Sequence, residues 1–154
     1  MSTTTFLGLN LPKELPYVGV ALASTLYLML YQAHNVVQAR TKAGVKYPRV
    51  YADFDEAEKS IDKMRFNCYQ RAHQNTLESL PLIYVGTILT GLKHPIFAAG
   101  ACGLWVFTRF VYTARYGSGK PEKRALSARA GYMILLALIA SSTYVSVQSA
   151  LSIV

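Results

Sequence analysis

Apolar residues fill four long stretches of this chain, and the charged residues crowd into the segments between them. No Asp, Glu, Lys or Arg occurs from Leu15 to Ala39 or from Ala130 to Val154. Ala72 to Leu92 holds one charge, Glu78, and Pro95 to Ala114 holds one, Arg109. A helix on a soluble protein wets one face and carries polar residues at every turn, which these stretches do not. The hydrocarbon core of a bilayer is about 30 Å thick and takes about 20 helical residues to cross. The pattern predicts transmembrane helices at about 15–39, 72–92, 95–114 and 130–152. Together they make an all-α, up-down four-helix bundle, one membrane domain over residues 1–154. The first stretch is long and is followed by no small-residue cleavage site, so it reads as a retained signal anchor.

The connections have their own patterns. Residues 1–14 read as a short polar lead, with Pro12 and Pro16 marking entry to the first helix. After Pro48 the chain is irregular, and a helix is expected to start near Asp55 and continue into the second span. Its acids Asp55, Glu56 and Glu58 precede Lys59, Lys63 and Arg65, the order that suits a helix dipole. Pro81 falls inside the second span and is expected to kink it, which partner helices tolerate in lipid. "LKHP" at 92–95 is a tight turn and "YGSGKPEKR" at 116–124 a loop. The small residues of "ALIASSTYVS" in the last helix permit close helix packing.

Composition agrees with a membrane setting: 52% of residues are apolar and 16% charged, where an ordinary soluble domain has about 25% charged. The net charge of +8 does not point to nucleic acid, because of where the charges lie. Of 16 Lys and Arg residues, all but Lys13 and Lys93 fall within 40–74 or 109–129. These segments follow the first and third spans and so share a membrane face. The positive-inside rule makes that face cytosolic and both termini luminal. Two cysteines, Cys68 and Cys102, lie in different elements and are expected as free thiols.

Candidate chemistry gathers at the same face. Asn67, Arg71, Asn75 and Glu78 are spaced by four, four and three, so a helix aligns them in one polar stripe. Glu78 lies at lipid depth, where an unpaired charge costs several kcal/mol. Arg109, Tyr112 and Tyr116 make a second stripe, Arg124 follows at the mouth of the last span, and Arg40 ends the first. The residues alone leave two readings open: polar glue between helices, or a site for a small, zwitterionic, net anionic ligand. His34 and His73 are amide-flanked with no thiolate pair or carboxylate cluster beside them, so no metal centre is expected.

The run "FNCYQRAHQNTLES" at 66–79 resembles the signature that opens the second helix of the MAPEG family, the membrane-associated proteins of eicosanoid and glutathione metabolism. The similarity extends to "QAR" at 38–40 and "RFVYTARYGSGKPEKR" at 109–124. It implies a homotrimer, with glutathione as co-substrate bound between neighbouring subunits on the cytosolic side. Arg71, Asn75 and Glu78 would hold the glutathione backbone, with Tyr112 and Tyr116 beside them. Arg40 and His73 would reach it from the neighbour, and Arg124 would be catalytic, stabilising the thiolate. The activity implied is a transferase or peroxidase acting on lipophilic electrophiles or lipid hydroperoxides. The alternative is a non-catalytic lipid-binding scaffold of the same fold. The implied setting is the endoplasmic reticulum membrane, with the outer mitochondrial membrane as the other candidate.

The charge distribution makes a topological prediction. Glycosylation acceptors engineered near residue 50 or residue 119 should stay unmodified, whereas one appended after Val154 should be used. Modification of either basic loop would reverse the orientation.

Overall fold

The computed structural model describes residues 3–6 and 9–152. Four long helices run up and down: α1 (Leu15–Ala43), then, after the short α2 (Phe54–Lys59), α3 (Ile61–Gly91), α4 (Pro95–Tyr116) and α5 (Ala125–Leu151). The helices start and stop where their end residues allow. Pro16 and Pro95 stand in the first turns of α1 and α4, where a missing N–H leaves no bond unmade. Gly44 ends α1 in the left-handed region at φ 64°, its N–H turned back to the carbonyls of Arg40 and Thr41.

Two expectations need correction. The polar lead contains an antiparallel pair, β1 (Thr3–Phe6) and β2 (Leu9–Pro12), with Thr3 opposite Pro12. Its β-branched "TTTF" run suits a strand, a signal that the polar composition obscures. The helix expected to start near Asp55 and continue into the second span is instead two helices. Ser60, extended at φ −139° and ψ 114°, separates α2 from α3. The hydroxyl residue breaks the run where periodicity alone would carry it through. From Ile61 the second helix runs unbroken through Pro81 to Gly91.

The chain is a multi-pass membrane bundle. α1, α4 and the segment Pro121–Leu151 are each long and apolar enough to cross a bilayer. α3 has the length, but its polar stripe lowers its apolarity. Large apolar side chains face outward on several helices, among them Val20, Leu30, Ile88, Phe107 and Met133. In water such a surface would be a liability; in lipid it is the solvated face. Inside, Leu28, Ile83, Cys102, Trp105 and Leu138 are completely buried. α5 approaches α3 closely because Gly86 has no side chain: a Cβ there would lie 3.1 Å from Leu138 Cβ. Ser141 and Thr90 hydroxyls meet at 2.8 Å along the same seam.

One polar node sits inside this core. Gln32 of α1, 1% exposed, donates from Nε2 to Thr76 Oγ1 of α3 at 2.9 Å and to Thr113 Oγ1 of α4 at 2.8 Å. Each threonine hydroxyl donates in turn to its own helix, to Ala72 O and Arg109 O. One amide therefore sets the register of three helices. Gln32→Leu removes two hydrogen bonds yet strands no buried donor, because both hydroxyls keep their backbone acceptors. The expected loss is about 1 kcal/mol, within the range for intramembrane hydrogen bonds. Thermal unfolding in detergent should show a modest drop in midpoint. An unchanged midpoint would mean that apolar packing alone sets the register.

Candidate functional site at the basic end of the bundle

The two basic connections meet at one end of the molecule. A Cβ on Gly117 would fall 2.1 Å from the Tyr69 ring, and one on Gly119, at φ 82°, 2.7 Å from Ile61. The "GSG" segment is thus glycine-rich because it lies flat against α3. Arg65 Nε donates to Ser118 O at 3.5 Å across the same contact. A cleft of about 430 Å³ opens beside it, lined by Asn35, Gln38 and Lys42 of α1 and by Asp62, Arg65 and Tyr69 of α3. Lys42 and Asp62 pair within it at 3.3 Å. None of the expected site residues lines this cleft.

The stripe on α3 divides into three tasks. Asn67 is used structurally: its Oδ1 accepts from Ala52 N at 2.8 Å and its Nδ2 donates to Ala52 O at 2.9 Å, pinning the first connection to α3. Two turns apart on one face, Arg71 Nη1 donates to Glu78 Oε1 at 2.8 Å, and both side chains are about half exposed. Asn75 Oδ1 accepts from Arg109 Nη1 of α4 at 2.8 Å, which orients the amide and leaves its NH₂ group for other partners. Tyr51, on the pinned connection, hydrogen-bonds Gln74 Oε1 and lies within electrostatic reach of Arg71 and Glu78.

Tyr112 and Tyr116 are buried with Cys68 and Ala72 between the helices, their rings edge to face at 5.6 Å. Arg124, in the 3₁₀ turn Pro121–Arg124 that leads into α5, lays its guanidinium over the Tyr116 ring at 4.7 Å. The Tyr112 phenol lies within electrostatic reach of the Arg124 guanidinium. Arg71 is also within electrostatic reach of Arg124 and of Tyr112. The structure therefore brings Arg71, Asn75, Glu78, Tyr112, Tyr116 and Arg124 to one region of the basic end.

Arg40 is not part of that group. It is 8% exposed and donates from Nη1 to Arg49 O at 2.6 Å and Val45 O at 3.4 Å. Its guanidinium also packs on the Tyr47 and Phe66 rings at 4.4 and 4.6 Å. These contacts clamp the 44–52 connection against α1 and α3. His73 is half-buried on α3, with Nδ1 enclosed and without a hydrogen-bond partner among the described residues. His34 is exposed on α1.

Arg109, which opens the second stripe in the sequence, is 4% exposed and orients Asn75. Tyr51 joins the site without any signal in the sequence, because only the folded connection carries it to Gln74.

The MAPEG family model matches residues 18–144, which takes in α3, α4, both basic connections and most of α1 and α5.

The role of Arg40 can be checked directly. Arg40→Ala should open the 44–52 connection, so that trypsin cuts after Lys46 or Arg49 about 10-fold faster in detergent, with the long helices retained. Cleavage at the parent rate would show that Asn67 alone holds the connection.

Proposed function

Because this chain belongs to the MAPEG family, we propose that its basic end binds glutathione and uses the thiolate against lipophilic electrophiles or lipid hydroperoxides. The family includes glutathione transferases, peroxidases and non-catalytic members. The observation that carries the catalytic reading is the gathering of Arg71 and Glu78 with Tyr112, Tyr116 and Arg124. Glutathione carries two carboxylates, an ammonium and a thiol. Guanidinium groups suit the carboxylates, Glu78 the ammonium, and the free NH₂ of Asn75 a backbone carbonyl. The family's non-catalytic lipoxygenase-activating protein lacks an arginine at the position of Arg71, so the Arg71–Glu78 pair favours an enzyme here.

A free thiol of this kind titrates near 8.5, leaving a few per cent thiolate at neutral pH. Arg124 stays protonated and is no base; its task is to stabilise the sulfur anion. Stacking on Tyr116, with the Tyr112 phenol close by, holds the charge in place before glutathione arrives. The thiolate then attacks an electrophile or peroxide that is already concentrated in the bilayer.

The chain resembles microsomal glutathione transferase of type 3 more than leukotriene-C synthase. Ser79 stands where the synthase has a ligand-binding tyrosine, and the "GSGKP" loop is one residue longer. Both differences favour conjugation or peroxide reduction over leukotriene synthesis. The half-exposed Arg71 and Glu78 cannot face lipid cheaply, which favours a homotrimer in which a neighbour covers them. His73 faces that neighbour's ligand in this arrangement. Arg40 contributes by holding the connection that carries Tyr51, since its guanidinium is already engaged. The endoplasmic reticulum membrane is the proposed setting.

The test is a pair of variants of the protein purified in mild detergent. Arg124→Ala should keep glutathione binding but raise the bound thiol's titration midpoint by about 1–3 pH units, leaving about 10- to 30-fold less thiolate at neutral pH. Thiolate ultraviolet absorbance and turnover should fall together and recover in part at higher pH. Arg71→Ala should instead raise the glutathione concentration needed for half-maximal rate. Lys123→Ala serves as the control for its neighbour. Unchanged absorbance and rate in both Arg124→Ala and Lys123→Ala would remove the electrostatic mechanism.

A further inference from the structure

Arg65 brings a cation to the basic end that the fold leaves without a counter-charge. Among the described residues its guanidinium makes one hydrogen bond, the 3.5 Å contact with Ser118 O, and no carboxylate pairs with it. It lines the cleft of about 430 Å³ between α1, α3 and the 117–119 segment, away from the candidate glutathione groups. Lys42 of α1 lines the same cleft, tied to Asp62 at 3.3 Å. Two cations and one carboxylate leave the cleft with an excess of one positive charge. Its neutral lining is polar as well. Asn35 donates from Nδ2 to Tyr31 O at 2.7 Å and keeps Oδ1 as an acceptor, and Gln38 is exposed at the mouth.

The cleft sits where the apolar stretches end. Asn35 and Ala39 belong to the uncharged run of α1, Lys42 lies beyond it, and Asp62, Arg65 and Tyr69 all precede Ala72 on α3. From Asn35 to Lys42 the helix rises about 10 Å, enough to cross a headgroup layer. The contact of Gly117 with the Tyr69 ring closes the inner side, so the cleft is a built recess and more than a basic surface.

We infer that this cleft binds the headgroup of a singly charged, hydroxyl-bearing phospholipid of the phosphatidylinositol type, with the phosphate at Arg65 and Lys42. One phosphodiester charge equals the excess in the cleft, and the Arg65 fork can take two phosphate oxygens at once. Headgroup hydroxyls can donate to Asn35 Oδ1, the Gln38 amide and Asp62, whereas a trimethylammonium head has no such donors. Gly117 and Ser118 stand between Tyr116 and the turn that carries Arg124, so an occupied cleft braces that turn. The binding of the lipid does not depend on the glutathione reading.

The test uses full-length protein in mild detergent, equilibrated with equal amounts of phosphatidylinositol and phosphatidylcholine of the same chains. Retained lipid is counted by native mass measurement. Phosphatidylinositol should be retained about 10-fold or more over phosphatidylcholine, the worth of one charge-assisted contact. Arg65→Gln should remove most of that preference, and Arg65→Lys should restore part of it. Gln38→Trp obstructs the mouth without changing the charge and should remove the preference too. Arg115→Gln removes an exposed arginine of the same end that does not line the cleft, and should leave the preference intact. Equal retention of the two lipids would overturn the inference, as would a preference that survives Gln38→Trp. A loss in Arg115→Gln as large as in Arg65→Gln would reduce the effect to the general basicity of this face and overturn the cleft. Displacement by soluble glycerophosphoinositol as effective as by short-chain phosphatidylinositol would assign the cleft to a soluble phosphodiester and overturn the lipid.

Discussion

Polar groups inside a bilayer depend on the protein for their partners, and the Gln32 amide, whose Oε1 has none among the described residues, is held through its N–H groups. Its two N–H groups reach Thr76 and Thr113, so α1, α3 and α4 meet at one depth and in one register. Those two threonines are the sequence neighbours of Asn75 and Tyr112. A slip at this node would carry the Asn75–Arg109 contact and the Tyr112 ring with it. Lipid provides no hydrophobic force to bring helices together, so specific hydrogen bonds and close small-residue seams such as Gly86 on Leu138 do that work instead.

The same constraint explains the uneven character of α3. It is the one long helix too polar to qualify as a span on composition, and nearly every polar residue in its stripe has a partner. Asn67 holds the first connection, Arg71 takes Glu78, and Asn75 takes Arg109. The exceptions are informative. Arg71 and Glu78 satisfy each other yet stay half exposed, as expected of a face that another molecule covers. Arg109 is enclosed but lacks a counter-charge.

The arginines thus stand in two tiers. Arg124 lies in the turn at the basic end, over the Tyr116 ring, where water and soluble thiols can reach it. Arg109 lies about two turns deeper on α4.

Much of this was legible in the residues themselves. Four uncharged or singly charged stretches decide the number of helices, because hydrocarbon excludes charge over a fixed thickness. Spacing by three and four residues on α3 places Arg71, Asn75 and Glu78 on one face, because helical geometry requires it. The break at Ser60 was not legible, since periodicity does not register a single extended residue. Neither were the partners. Arg40 and Arg124 both end apolar helices in the sequence, yet one is consumed in clamping a loop and the other stands over Tyr116 beside the candidate ligand groups. Gln32 looked like one more residue of an apolar run, and Tyr51 like part of an irregular connection. Which side chains meet across helices separated by dozens of residues depends on how those helices rotate and pack, and that is decided only when the whole bundle is assembled.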